Sequence, residues 1–298
     1  MASTLKAQLF KKNVKRVAIV FRPDTTNALK MARELSVWLK KRKIEVLCHP
    51  KQKISPDIKK VQDPKALDMV IVLGGDGTYL HAVRMIEGAR VPMLGVNLGS
   101  LGFLTIHRAQ DLYDLVEMAI NGELELKSRS MIHLEVKRSN KSKQTTTQTM
   151  CALNDLVIER GPNSHLIHLG ISADGMQIND VKADGLIIAT PTGSTAYNLA
   201  AGGPILHPEV NALVVTPVCP HSLTSRPFIF PDGRKISFHL LGKSSRAMLT
   251  VDGSKVAMLT AKDEVTVERE PCDHLILRRP SHNFFTLLRE KLKFGDRG

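Results

Sequence analysis

Met69-Val70-Ile71-Val72-Leu73-Gly74-Gly75-Asp76-Gly77-Thr78-Tyr79-Leu80-His81-Ala82-Val83 passes from five consecutive apolar residues, through three glycines and one acid, into a segment of mixed helical character. A short apolar run bounded by glycines reads as a buried strand, and the continuation as a helix. The carboxyl end of such a strand, beside a helix N-terminus, presents free backbone N–H groups to an anion. Gly74, Gly75 and Gly77 allow positive φ and a close backbone approach, so a phosphate is the natural guest. Asp76 is then the puzzle. A carboxylate beside bound phosphate is unfavourable unless a metal ion neutralises it or it acts as a base toward an attacking hydroxyl, and both readings point to phosphoryl transfer. A tight turn whose Asp caps its helix uses the same residues, and the pentapeptide alone does not separate the two.

On either side of this turn the first half of the chain alternates strands and helices. Val17–Phe21 reads as a strand. Thr26 to Lys40 reads as an amphipathic helix with Leu29, Ala32, Leu35, Val37 and Leu39 on its apolar side, and Ile44–Cys48 as a second strand. After the helix stopped near Gly88 come the strand-like Pro92–Val96 and a helix from about Ala109 to Ile120, ended by Asn121-Gly122. This order predicts a parallel sheet with helices on its faces. Past residue 125 short strands follow one another: Ile132–Lys137, Met150–Glu159, Leu166–Ser172, Gly185–Thr190, Leu213–Pro217, Lys235–Leu240, Ala247–Val251, Glu264–Glu268 and His274–Leu277. Their density predicts an all-β, sandwich-like C-terminal domain. The expected boundaries are 1–124 for the α/β domain, 125–280 for the β-rich domain, and 281–298 for a segment that packs back on the first domain.

The 298 residues suffice for two such domains, and 43% apolar with 24% charged residues is ordinary for a globular protein. No apolar run approaches the roughly 20 residues that span a bilayer, and residues 1–23, with six Lys/Arg and no acid, read as a short basic arm, so an intracellular, cytoplasmic protein is expected. Cys48, Cys151, Cys219 and Cys272 form no C-x-x-C pair, which indicates neither a zinc site nor a disulfide framework. The net charge of +13 invites a nucleic-acid reading, but 4% aromatics leaves few stacking platforms. The excess reads as solubility and steering of anionic substrates.

Several familiar sites are excluded. There is no G-x-S-x-G and no H-E-x-x-H. Gly242-Lys243-Ser244 lacks the leading glycine of a P-loop because Ser237 stands there, and Leu80 stands where the third glycine of a dinucleotide fingerprint belongs. Two further runs carry chemistry. In Asp184-Gly185-Leu186-Ile187-Ile188-Ala189-Thr190-Pro191-Thr192-Gly193-Ser194-Thr195-Ala196-Tyr197 an apolar strand opens onto a hydroxyl-loaded turn before a short helix over Thr195–Ala201. Thr192, Ser194 and Thr195 are compact donors suited to the phosphate, ribose or amide of a nucleotide, or to an ST-turn capping its own helix. Asn154-Asp155, set among apolar residues, suits a ribose diol, or else a polar strand edge or bulge.

Gly-Gly-Asp-Gly-Thr, Asn-Asp, and then Asp-Gly with Thr-Pro-Thr-Gly-Ser-Thr-Ala-Tyr, in this order, closely resemble the NAD kinase family. The match continues through Gly202-Gly203-Pro204-Ile205, residues 216–227 and Val251-Asp252-Gly253. The resemblance implies transfer of the γ-phosphoryl group of ATP, or of polyphosphate, to the 2′-hydroxyl of the adenosine ribose of NAD. Mg²⁺ or another divalent metal would be held mainly by the donor's phosphates rather than by protein side chains. It makes Asp76 the proton acceptor and Gly77 a dinucleotide contact, with Asn154 and Asp155 holding a ribose. Asp184 and the segment Thr195, Ala196, Tyr197, Asn198 to Ala200 would line the nicotinamide and ribose side, Phe103 would be an apolar wall, and His165 and Lys182 further contacts. It also implies a two-domain plan like that of the diacylglycerol kinases and assembly as a homo-oligomer, dimer or tetramer, with no nucleic-acid or membrane partner. Ser254 stands where many family members have Gln, a shorter reach toward the ligand. A diacylglycerol-type lipid kinase shares the glycine turn but lacks the Thr-Pro-Thr-Gly-Ser-Thr-Ala-Tyr block. A non-catalytic nucleotide- or nucleic-acid-binding protein is the remaining alternative.

Overall fold

Met69–Leu73 is buried at all five positions because neighbours flank it on both edges and packing covers both faces. It pairs in parallel with Arg16–Phe21 on one side (Val17 opposite Met69, Phe21 opposite Leu73) and with Met93–Asn97 on the other. The computed structural model describes residues 8–23, 25–139, 145–161, 166–242, 246–280 and 282–293. The chain divides into two compact units, residues 1–128 with 274–298, and residues 129–273.

In the first unit the sheet runs in the order Lys59–Lys60, Glu45–Cys48, Arg16–Phe21, Met69–Leu73, Met93–Asn97, His274–Arg278, Glu125–Arg129, with His107–Arg108 also paired to Met93–Asn97. Strand alternation sends Val17, Ile19, Met69, Ile71, Leu94 and Val96 into one core with Ala28, Ala32, Leu35 and Leu39 of the helix Thr26–Lys41 and Leu112, Leu115, Val116 and Ala119 of the helix Leu112–Asn121. The third helix, Asp76–Ile86, packs on the strands Met69–Leu73 and Arg16–Phe21. From Arg16–Phe21 the chain first builds outward through Glu45–Cys48 and then crosses back to add Met69–Leu73 on the opposite side. The strand order therefore reverses between those two central strands. Ligands of open α/β sheets bind outside the carboxyl ends of the strands at such a reversal, and here that place is the turn at residues 74–78.

The sequence places His274–Leu277 in the β-rich domain, but His274–Arg278 pairs in parallel with Met93–Asn97 through Ile276 and Met93 and completes the first sheet. The final helix, Phe284–Leu292, belongs to the same unit, with Lys291 Nζ donating to Leu101 O. Val37, expected on the apolar side of its helix, is 54% exposed, and Ala28 takes its place in the core.

The second unit is built of two six-stranded antiparallel sheets. One runs Phe228–Pro231, Ala212–Val218, Gly185–Ala189, Asp155–Arg160, Arg246–Val251, Ser254–Thr260. The other runs Met176–Ala183, Ile167–Ala173, Ile236–Leu240, Asp263–Arg269, Ile132–Ser139, Thr145–Ala152. Leu156, Ile158, Leu186 and Leu249 of the first meet Leu134, Val136, Leu169 and Phe238 of the second in one core. The run Met150–Glu159, expected as one strand, is two. Thr145–Ala152 lies in one sheet and Asp155–Arg160 in the other, so Leu153-Asn154 is the corner where the chain changes sheets.

Candidate active site

Asp76 is the first residue of its helix, with Gly75 as N-cap in extended backbone. Four donors hold its carboxylate. Phe103 N–H donates to Oδ2 at 2.8 Å, while Leu104 N–H, Thr105 N–H and Thr105 Oγ1 donate to Oδ1 at 3.1, 3.0 and 2.8 Å. Thr105, fully buried, in turn accepts from Asn97 Nδ2 at 2.8 Å, and Asn97 Oδ1 accepts from Gly99 N–H at 2.7 Å. Gly102 makes the wrap possible, since a Cβ there would lie 2.0 Å from Asp76 Oδ1. Phe103, half-buried, is fixed on its other side by Arg278 Nη2, which donates to its carbonyl at 2.8 Å. Asn97, Gly102, Thr105 and Arg278 are absent from the sequence reading. The available signal was the second glycine-rich run, Gly95 to Gly102, which also leaves the carboxyl end of a strand.

None of Gly74, Gly75 and Gly77 uses the positive φ that glycine allows. Gly74 is required by packing, because a Cβ would meet Thr78 Oγ1 at 2.4 Å, and Thr78 is itself buried. Gly75 and Gly77 have no described atom within 4 Å of where a Cβ would stand. Neither strain nor internal packing explains these two, and the open space beside them is room for a ligand to approach backbone.

In the second unit Asn154 and Asp155, 9% and 6% exposed, are gripped from two directions. Asp252 accepts from the N–H groups of Leu153, Asn154 and Asp155 at 2.9, 2.8 and 3.2 Å. From the other side Thr190 N–H donates to Asn154 O at 2.9 Å and Thr190 Oγ1 to Leu153 O at 2.6 Å. Gly193 closes on the same carbonyl, for a Cβ would lie 2.0 Å from Asn154 O. Asp252 and Gly253 take left-handed backbone, φ 43° and 74°, in the hairpin between Arg246–Val251 and Ser254–Thr260. Asp-Gly between two strands is a hairpin signal, but its carboxylate's grip on residues 153–155 is a tertiary fact. Burial first, and the Asp252 charge second, push the Asp155 carboxyl up to about 7.

The Thr192–Tyr197 turn is divided. Gly193–Thr195 is a 3₁₀ turn and Tyr197–Ala200 a four-residue helix, interrupted at Ala196, so the expected hydroxyl-rich start of one longer helix does not form. Thr192 Oγ1 is buried without a hydrogen-bond partner among the described residues. Ser194 Oγ, by contrast, donates to Pro191 O at 2.6 Å and accepts from Leu206 N–H at 3.0 Å. Thr195 Oγ1 donates to Thr192 O at 3.2 Å. Asn198 is fully buried. Its Nδ2 donates to Ser194 O and Pro204 O, both at 3.1 Å, and its Oδ1 accepts from Thr216 at 2.6 Å. The side chains of Ser194 and Asn198, expected to meet ligand, therefore brace the turn instead. Asp184 and Tyr197 line one cavity of about 450 Å³ with Val157, Arg160 and Gly185, and Arg160 Nε lies 2.8 Å from Asp184 Oδ1. Ala196 is half-buried beside that tyrosine and Ala200 is exposed. Lys182 is exposed on the strand Met176–Ala183, its carbonyl bonded to His221 N–H at 2.9 Å. His165 lies outside the described residues.

The chain resembles known proteins along most of its length. The model of the ATP-NAD kinase N-terminal domain matches residues 17–124, and that of the ATP-NAD kinase C-terminal domain residues 153–277. The NAD kinase of Bdellovibrio bacteriovorus is 51% identical over 284 residues, covering 94% of this chain and 92% of that protein. The NAD kinase of Syntrophotalea carbinolica is 39% identical, covering 95% of this chain and 100% of that one. Among solved structures, yeast NADH kinase complexed with NADH superposes with a TM-score of 0.88 at 26% identity, covering 98% of this chain and 93% of that one. An NAD kinase from Archaeoglobus fulgidus in complex with ATP, at 21% identity and a TM-score of 0.71, covering 92% of this chain and 98% of that one, shares the fold. With both family domains matched in order and half of all aligned residues shared with a named relative, the chain belongs to the ATP-NAD kinase family.

Proposed function

We propose that the protein transfers the γ-phosphoryl group of ATP to the 2′-hydroxyl of the adenosine ribose of NAD, with Asp76 taking the hydroxyl's proton. The oxygen–phosphorus bond to the 2′-oxygen forms, the bond to ADP breaks, and NADP and ADP leave. NAD kinase activity rests on the named relatives at high identity and on the fold shared with the NADH-bound yeast enzyme. They lend no support to a lipid kinase or to a non-catalytic nucleotide- or nucleic-acid-binding protein.

One observation carries the role of Asp76. Among the described residues Oδ1 accepts from three donors and Oδ2 from Phe103 alone, so Oδ2 keeps lone-pair capacity for a substrate proton. The fixed carboxylate supplies orientation as well as basicity, which phosphoryl transfer needs more than covalent help. In this reading Asn154 and Asp155 hold ribose hydroxyls and Thr192 Oγ1 takes a polar group of the ligand. Asp184 and Tyr197 flank the nicotinamide riboside, with Thr195, Ala196 and Ala200 beside them, and Lys182 and His165 are further contacts. Gly75 and Gly77 offer backbone to the dinucleotide, and Phe103 the apolar wall.

In this reading Mg²⁺ enters with the substrate, as the magnesium complex of the donor, held mainly by its phosphates. A cytoplasmic homo-oligomer is part of the same reading. The test is to incubate purified protein with Mg²⁺, NAD and either ATP or polyphosphate and detect NADP with an NADP-specific dehydrogenase. NADP is expected with ATP, and its absence with both donors would overturn the assignment.

A further inference from the structure

Three side chains that the proposed reaction does not use converge in the second unit. His133 and Cys151 are direct partners across the antiparallel strands Ile132–Ser139 and Thr145–Ala152. Residues so opposed carry their Cβ atoms about 4.5–5.5 Å apart on one face. Glu270 follows the neighbouring strand Asp263–Arg269, and its N–H donates to Met131 O at 2.9 Å, which continues the ladder one residue past the strand. Its side chain reaches both partners, with Oε2 3.0 Å from His133 Nδ1 and 3.1 Å from Cys151 Sγ. The ligand-capable atoms of the three all lie within 4.8 Å of one another, and all three residues are half-buried.

An imidazole, a thiol and a carboxylate aimed at one point form the mixed N/S/O donor set that zinc-class cations take in tetrahedral sites. Metal–ligand bonds of about 2.0–2.3 Å place tetrahedral donors roughly 3.3–3.7 Å from one another, so the two separations from Glu270 Oε2 need to open by well under an ångström. The ring's far nitrogen faces a second carboxylate, with His133 Nε2 3.8 Å from Glu135 Oε1. Sequence spacing conceals the set, because two members come from neighbouring strands, the third from just past another, and no two are within a ligand motif.

We propose that His133, Cys151 and Glu270 bind one divalent cation of the zinc class, with water in the fourth position. The strand that carries Cys151 ends at Ala152, two residues before Asn154, so the bound cation ties down the corner that presents Asn154 and Asp155. Its effect is structural bracing, and none of its ligands is assigned to phosphoryl transfer.

The test uses the full-length protein after chelator treatment, titrated with Co²⁺ and then with Zn²⁺. One Co²⁺ per chain is expected, with the thiolate-to-cobalt charge-transfer band and the visible bands of a tetrahedral ion, all removed by one equivalent of Zn²⁺. Cys151→Ser removes the charge-transfer band, and both Cys151→Ser and His133→Gln weaken Zn²⁺ binding by at least about tenfold. His133 is part-exposed, so His133→Gln serves where Cys151→Ser folds poorly, and melting curves of the metal-free variants establish folding. Absence of the thiolate band in the wild-type protein overturns the proposal, as does a Zn²⁺ affinity that folded variants leave unchanged.

Discussion

Thr105 stands between Asn97 and Asp76, accepting from one and donating to the other through a single buried hydroxyl. Thr105→Val keeps the shape and removes both bonds. It leaves Asn97 Nδ2 without that acceptor, which costs about 1–3 kcal/mol of stability. Because Asp76 Oδ1 loses one of three donors, kcat is expected to fall while KM for NAD changes little, a split that steady-state kinetics reads directly. Asp155 makes a different prediction. Its folded-state value near 7 is raised from the ordinary 3.8, so between those values the folded chain keeps a proton that the unfolded chain has released. Stability contributed by this group therefore declines as pH rises from about 4 to about 7 and is level above that. Asp155→Asn should flatten that part of the stability–pH curve measured by denaturant melts, and an unchanged slope would contradict the assignment.

The corner at Leu153-Asn154 depends on three elements: the strand pair it joins, the Asp252 hairpin, and the turn at residues 190–193. Gly193→Ala drives a Cβ into Asn154 O, so the turn must move off the corner. The expected outcome is a rise in KM for NAD of at least about tenfold with the fold retained, read by kinetics beside circular dichroism. The strand Met69–Leu73, the glycine turn and the helix behind it were legible in the sequence because a buried parallel strand admits only apolar residues. The split of Met150–Glu159 was not, since a change of sheet leaves the apolar pattern on both sides intact. Met176–Ala183 also escaped notice. It is an edge strand with mostly exposed residues, and its polar composition resembles a loop. Ser194 and Asn198 show the limit for site residues. The hydroxyl and the amide were visible, but their bonds to Leu206, Pro204 and Thr216 depend on how the following loop returns.

For the chain as a whole, the two-part organisation followed from periodicity, whereas the return of His274–Arg278 to the first sheet did not, because nothing local distinguishes a parallel central strand from one in a sandwich. The net charge of +13 has a kinetic consequence. Both substrates are anions, and the steering field is screened over about 10 Å at 0.1 M salt. Raising ionic strength from about 0.05 to about 0.3 M should lower kcat/KM for ATP several-fold and leave kcat nearly constant. A salt-independent kcat/KM would remove the role given to the charge.

The central claim is that this fold phosphorylates NAD with Asp76 as the base. Single-turnover phosphoryl transfer by the full-length protein, with NAD and magnesium-ATP bound in advance, compares wild type with Asp76→Asn directly. Loss of the base should slow the step by roughly 10²- to 10⁴-fold, with NAD affinity by calorimetry within about tenfold of wild type. NADP formed at the wild-type rate by Asp76→Asn would contradict the account.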